Sequence, residues 1–190
     1  MSNFKRYGLE WTKGTDDLQI ELAMIRLGGK SATIPEGLSL FDHFMLARKL
    51  CWPRRYRHRW TDLLHGEFVK NDITIMMGAA STQKTSHASE FALLSYWARP
   101  YNTLVIVSTI TMEKLETGVW GEIKMLFRMA RERWDWLPGN MVEGKKAIAT
   151  DDVEEDIRDL RRGLIGKPCF IGGRWVGLGT LAGIKQDYIV

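Results

Sequence analysis

DITIMMGAASTQKTSHASEFALLSYW, from Asp72 to Trp97, is the stretch that decides how this chain is read. Asp72 to Met77 is a short apolar run containing Ile73, Thr74 and Ile75, a composition suited to a β-strand. Gly78 to Gln83 is small and polar. From Lys84 to Trp97 the apolar residues return at helical spacing, with Ala88, Phe91, Ala92 and Leu94 giving a buried face. A strand, a small-residue loop and a helix therefore follow one another. Set against the phosphate-loop pattern GxxxxGK[ST], GAASTQKT keeps the first Gly, the Lys and the Thr, and has Gln83 in place of the second Gly.

The chemistry explains the spacing. A loop that leaves a strand and enters a helix can turn successive backbone N–H groups toward an anion. The helix N-terminus adds the positive end of its dipole. Gly78, Ala79, Ala80, Ser81, Thr82, Gln83, Lys84, Thr85 and Ser86 are accordingly the candidate nucleotide-binding residues. Lys84 is the candidate catalytic residue, a point charge for the β- and γ-phosphates of ATP. Thr85 is the candidate Mg²⁺ ligand through its hydroxyl. Ala79, Ala80 and Ser81 are small enough for phosphate to approach the backbone. Gln83 reduces loop freedom, because glycine enters positive-φ conformations far more easily.

Working outward, Thr103 to Ser108 is an unbroken apolar run that suits a parallel strand covered on both faces. Leu115, Val119, Ile123, Phe127 and Ala130 predict one long helix that stops before Pro138-Gly139. Asp151 to Arg162 reads as a further short helix, Pro168 to Gly179 as a glycine-rich hairpin, and Tyr188 to Val190 as the start of another strand. Upstream, Asp16 to Leu27 and Ser39 to Leu50 read as helices. The order of elements means α/β with a parallel sheet. The expected division is an N-terminal helical region over 1–59 and a core over 60–190.

The bulk properties are those of an ordinary globular chain. Of 190 residues, 45% are hydrophobic and 26% charged, and the net charge is +4. No apolar run approaches the roughly 20 residues that span a bilayer, and the N-terminus has no secretory h-region, so a cytosolic location is expected. Cys51 and Cys169 are far apart and lie in no ligand cluster, which argues against zinc and a disulfide framework. The charge is concentrated in RKLCWPRRYRHR, Arg48 to Arg59, where arginines surround Trp52 and Tyr56. Arginines hold phosphates and aromatics stack on bases, so Arg54, Arg55, Arg57 and Arg59 are candidate DNA contacts. The alternative for this stretch is a solvated face or a subunit contact.

ITIMMGAASTQKTSHASEFALLSYW followed by NTLVIVSTITMEKLETGVWGEIKMLF resembles the ATPase domain of phage large terminases, the motors that drive double-stranded DNA into a procapsid. That family has a degenerate phosphate loop, an apolar strand ending in Ser/Thr, and then a helix carrying a Trp. Ser108, Thr109 and Trp120 fit, and the resemblance spans roughly Trp60 to Val190, about two-thirds of the chain. It implies a P-loop NTPase fold of the RecA/ASCE-like kind, a mostly parallel sheet flanked by helices, with ATP and Mg²⁺ as ligands. The partners implied are double-stranded DNA, a portal protein, a small terminase subunit and further copies in a ring, in the host cytoplasm and at the procapsid portal, with no membrane. Ser108 and Thr109 become candidates for coupling nucleotide to DNA, with helix capping as the alternative.

GLGTLAGIKQDYIV resembles the run into the family's Walker B strand, which an Asp-Glu pair follows. The expectation is that the parent reading frame continues past Val190 with that pair. The family's nuclease carboxylates are not in this sequence. No arginine lies in the phosphate loop, and Arg99, Arg128 and Arg131 remain the candidates for a transition-state arginine. Two other readings stay open: a helicase-like P-loop ATPase, and a nucleotide-binding fragment without turnover.

Overall fold

The computed structural model describes residues 17–28, 38–77, 82–150, 162–171, 174–175 and 188–189. The chain divides into two compact units, Met1–Met77 and Gly78–Val190.

The first unit is helical. Helix α1 spans Asp17–Gly28 and α2 spans Leu40–Cys51. They pack together, with Leu18, Leu22 and Ile25 buried on one and Phe44, Ala47 and Cys51 on the other. That i, i+3/i+4, i+7 spacing is what the sequence shows. His43 Nδ1 meets Glu21 Oε2 at 2.7 Å between them. Ser39 caps α2: its Oγ accepts from Asp42 N, while Asp42 Oδ2 accepts from Ser39 N at 2.8 Å. These bonds to Ser39 hold the Asp42 carboxyl below its ordinary value of 3.8. Helix α3 covers Arg59–Lys70 and belongs to this unit. The α/β unit thus begins at Gly78, later than the expected boundary at residue 60.

Asp72–Met77, read above as a strand, is not one. Among the described residues nothing pairs with it, and Ile73, Ile75 and Met77 are 82%, 83% and 92% exposed. Thr74 Oγ1 donates to Glu67 O at 3.1 Å, which ties the segment to the end of α3. A β-prone composition forms a strand only where a neighbour completes the ladder.

In the second unit, α4 (Lys84–Ala98) leads through the turn 99–102 into β1 (Thr103–Thr109). Next come α5 (Met112–Thr117), α6 (Val119–Arg133), β2 (Asn140–Val142) and β3 (Ala147–Ala149). Then follow β4 (Gly163–Pro168), β5 (Phe170–Ile171), β6 (Arg174–Trp175) and β7 (Tyr188–Ile189). The main sheet has the order β2-β3-β4-β1-β7. β1 is parallel to β4, with Leu104 opposite Gly163 and Thr109 opposite Pro168, and parallel to β7 through Thr103 and Leu104.

The sheet is mixed, which corrects the expectation of a mostly parallel one. β3 runs antiparallel to both β4 and β2. The link from β2 to β3 is a 3₁₀ turn, Glu143–Lys145, followed by Lys146 at φ 49°. So short a link returns the chain antiparallel. These strands of three residues each are too short for the sequence to announce. The expected hairpin is present as antiparallel β5 and β6. The helix expected from Asp151 lies largely outside the described residues.

The single long helix expected around Leu115 to Ala130 is two helices. The break is at Gly118, whose backbone (φ −101°, ψ −108°) leaves the helix while its N–H still bonds Lys114 O at 3.1 Å. A Cβ there would lie 2.7 Å from that oxygen, so the bend depends on glycine. Leu115 and Trp120, one from each helix, are buried against Gly166 of β4. α4 packs beside α6, with Trp97 and Phe127 ring centroids 6.0 Å apart.

Candidate functional site

Helix α4 packs on β1 and is joined to it by a tight turn, so the two run antiparallel. From its 15 residues α4 is about 22 Å long. The 7 residues of β1 span about 23 Å. The start of α4 therefore lies at the same edge as the end of β1. That edge holds the carboxyl ends of β1 and β4, where ligands gather in open α/β folds. Cover on β1 falls off toward it: Leu104 and Val105 are buried, Ser108 is exposed.

At the start of α4, Gln83 adopts the left-handed conformation, φ 57° and ψ 19°. Gln83 makes no side-chain cap bond to α4, whereas Ser39, His58 and Thr111 cap α2, α3 and α5. Lys84 Nζ bends back to donate to Thr82 Oγ1 at 2.9 Å. Thr85 is exposed. Ser86 is buried and its Oγ donates to Glu122 Oε1, in the first turn of α6, at 2.7 Å. His87 is buried as well, with Nδ1 3.3 Å from Glu90 Oε2. Gly78, Ala79, Ala80 and Ser81 lie outside the described residues.

The first turn of α4 thus brings together a helix N-terminus, the Lys84 ammonium, the exposed Thr85 hydroxyl and, through Ser86, the Glu122 carboxylate. Glu122 could not be found from sequence, since it stands 36 residues from Ser86 and no motif joins them.

Ser108 and Thr109 sit at this edge with their hydroxyls directed to the chain itself. Ser108 Oγ donates to Lys167 O at 2.6 Å and lies 2.8 Å from Cys169 Sγ. Thr109 Oγ1 donates to Thr111 O at 2.9 Å. Thr111, and neither of these two, caps α5. Two of the candidate arginines are engaged within the fold: Arg128 pairs with Glu143, and Arg131 donates to the carbonyls of Leu137 and Gly139.

The chain matches no family model, no curated protein and no solved structure. Among the described residues, no helix is long and apolar enough to cross a membrane.

The basic cluster belongs to the first unit. Arg54 and Arg59 are exposed, Arg55 is half-buried, and Arg57 is exposed but clamped by Asp62. Arg57 Nε and Nη2 donate to Asp62 Oδ1 and Oδ2 at 2.7 and 2.9 Å. That bidentate bond raises the Arg57 pKa above its ordinary value. Arg59 lies 5.0 Å from the centre of the Trp60 ring.

Proposed function

We propose that the Gly78–Val190 unit binds Mg²⁺-ATP at the start of α4, and that the chain is the ATP-binding part of a DNA-packaging motor of the large-terminase kind. The observation that carries the nucleotide reading is Gln83 at positive φ directly before Lys84 and Thr85. The second glycine of GxxxxGK[ST] stands at this position, and glycine is the residue suited to such a backbone. The mixed α/β sheet, with the start of α4 at the carboxyl ends of its parallel strands, supports the same reading. In it, the first-turn N–H groups of α4 and Lys84 would hold the phosphates and the Thr85 hydroxyl would be a ligand of Mg²⁺. The ion, when bound, would neutralise phosphate charge.

The motor part rests on the resemblance of the loop, the Ser108-Thr109 strand end and Trp120. Double-stranded DNA, a portal protein, a small terminase subunit and a ring of copies are the partners that go with it.

Titration of Mg²⁺-ATP by calorimetry tests the site. Lys84→Ala removes a charged hydrogen-bonding group, and the expected loss of affinity is roughly 10- to 150-fold, with an unchanged far-UV spectrum. Equal affinity in the folded variant removes the assignment. Repeating the titration with saturating duplex DNA tests the motor, because coupled ligands must alter each other's affinity. ATP binding that ignores duplex leaves a nucleotide site and refutes the motor.

A further inference from the structure

The surface of the first unit around the start of α3 is built in a way that the nucleotide reading does not use. From His43 to Thr61 the sequence holds no acid, and it holds Arg48, Lys49, Arg54, Arg55, Arg57 and Arg59. Two large aromatics stand out of this basic surface: Tyr56 is 72% exposed and Trp60 is 48% exposed. Large rings are normally covered, and when they stand exposed together they mark a contact surface.

The backbone beneath them is pinned. Arg48 is itself buried, and its Nη2 donates to Tyr56 O at 3.2 Å. Arg57 is held in the bidentate pair with Asp62 described above. His58 caps α3, its Nδ1 accepting from Trp60 N at 3.0 Å. Two arginines and a histidine are thus used to fix the segment, while the rings of Tyr56 and Trp60 and the cations Lys49, Arg54 and Arg59 face outward. Arg59 lies over the Trp60 ring, a cation beside a stacking face.

We propose that this surface binds single-stranded nucleic acid, with unpaired bases stacking on Tyr56 and Trp60 and Lys49, Arg54 and Arg59 meeting the backbone phosphates. Charge complementarity selects a polyanion as the partner. The exposed rings select unpaired bases, since a base inside a duplex has no face to offer a side chain, whereas stacking on aromatics is how single strands are held without sequence preference. The inference is independent of the ATP site, which lies in the other unit.

Fluorescence anisotropy of a labelled oligo-dT and of a duplex of equal length, titrated with the full chain over a series of KCl concentrations, tests it. The single strand is expected to bind more tightly than the duplex. Trp60→Ala should weaken single-strand binding by about fivefold or more, and Trp60→Phe, which keeps a ring, should restore most of it. Arg54→Ala and Arg59→Ala should each lower the slope of log K against log[KCl] by about 0.7. Lys84→Ala should change none of these values. Duplex binding as tight as the single strand and indifferent to Trp60→Ala would overturn the proposal in favour of a phosphate-only surface. Binding of neither oligonucleotide would overturn it in favour of a protein contact.

Discussion

Replacing Gln83 separately by Gly and by Ala reads the backbone at the start of α4 directly. Gln83 sits at φ 57°, is exposed, and makes no cap bond, so its side chain contributes little and its backbone conformation dominates. A residue with a Cβ pays about 1–2 kcal/mol in the left-handed region. Glycine removes that cost but adds about 0.4–1 kcal/mol of chain entropy to the unfolded state. The difference leaves Gln83→Gly more stable than Gln83→Ala by about 0.8 kcal/mol.

In urea, followed by tryptophan fluorescence and circular dichroism, this is a shift in midpoint of roughly 0.3–0.8 M at unchanged m. Were Gln83 an ordinary helical residue, the order would reverse, with Ala about 1 kcal/mol better than Gly. Greater stability of the Ala variant therefore refutes the reasoning. Mg²⁺-ATP affinity should be equal or higher in Gln83→Gly. A large loss there would mean that the Gln side chain itself touches the nucleotide.

Gly139→Ala should be costly, since φ is 104° and a Cβ would lie 2.7 Å from both Ile148 Cγ2 and Tyr96 Oη, two buried side chains. Backbone strain and overpacking together predict a loss of about 3 kcal/mol, seen as a lowered thermal midpoint. Gly118→Ala should weaken the Gly78–Val190 unit because its Cβ meets Lys114 O, and hydrogen exchange should localise the change to the junction of α5 and α6. Asp42→Asn should destabilise the chain in a pH-dependent manner. The carboxyl is depressed below 3.8, so its contribution is complete above that value and fades as pH falls below it. The gap between Asp42→Asn and the parent should be flat above about pH 5 and shrink in acid; a pH-independent gap would contradict the Ser39–Asp42 capping box.

What the sequence determined by itself is the local part of this protein. The apolar spacing of Leu18, Leu22 and Ile25, the helical readings of Ser39 to Leu50 and Lys84 to Trp97, and the run Thr103 to Ser108 placed α1, α2, α4 and β1 within a residue or two. They could do so because periodicity and apolar runs act over a few neighbouring residues. The position of Lys84 and Thr85 at the opening of a helix was legible for the same reason, whereas the positive φ of Gln83 came from the structure. The tertiary structure alone decided the rest. Only the ladder shows that Ala147–Ala149 turns half of the sheet antiparallel, that Tyr188–Ile189 joins β1 in parallel, and that Ile73 to Met77 has no strand beside it among the described residues. Leu115 to Ala130 keeps one helical period in sequence, yet the backbone bends at Gly118 so that Leu115 and Trp120 both pack on Gly166. Glu122 reaches Ser86 across 36 residues because two helices pack side by side. Strand partners and packing contacts join residues remote in sequence, and their free energy exists only once the chain has folded.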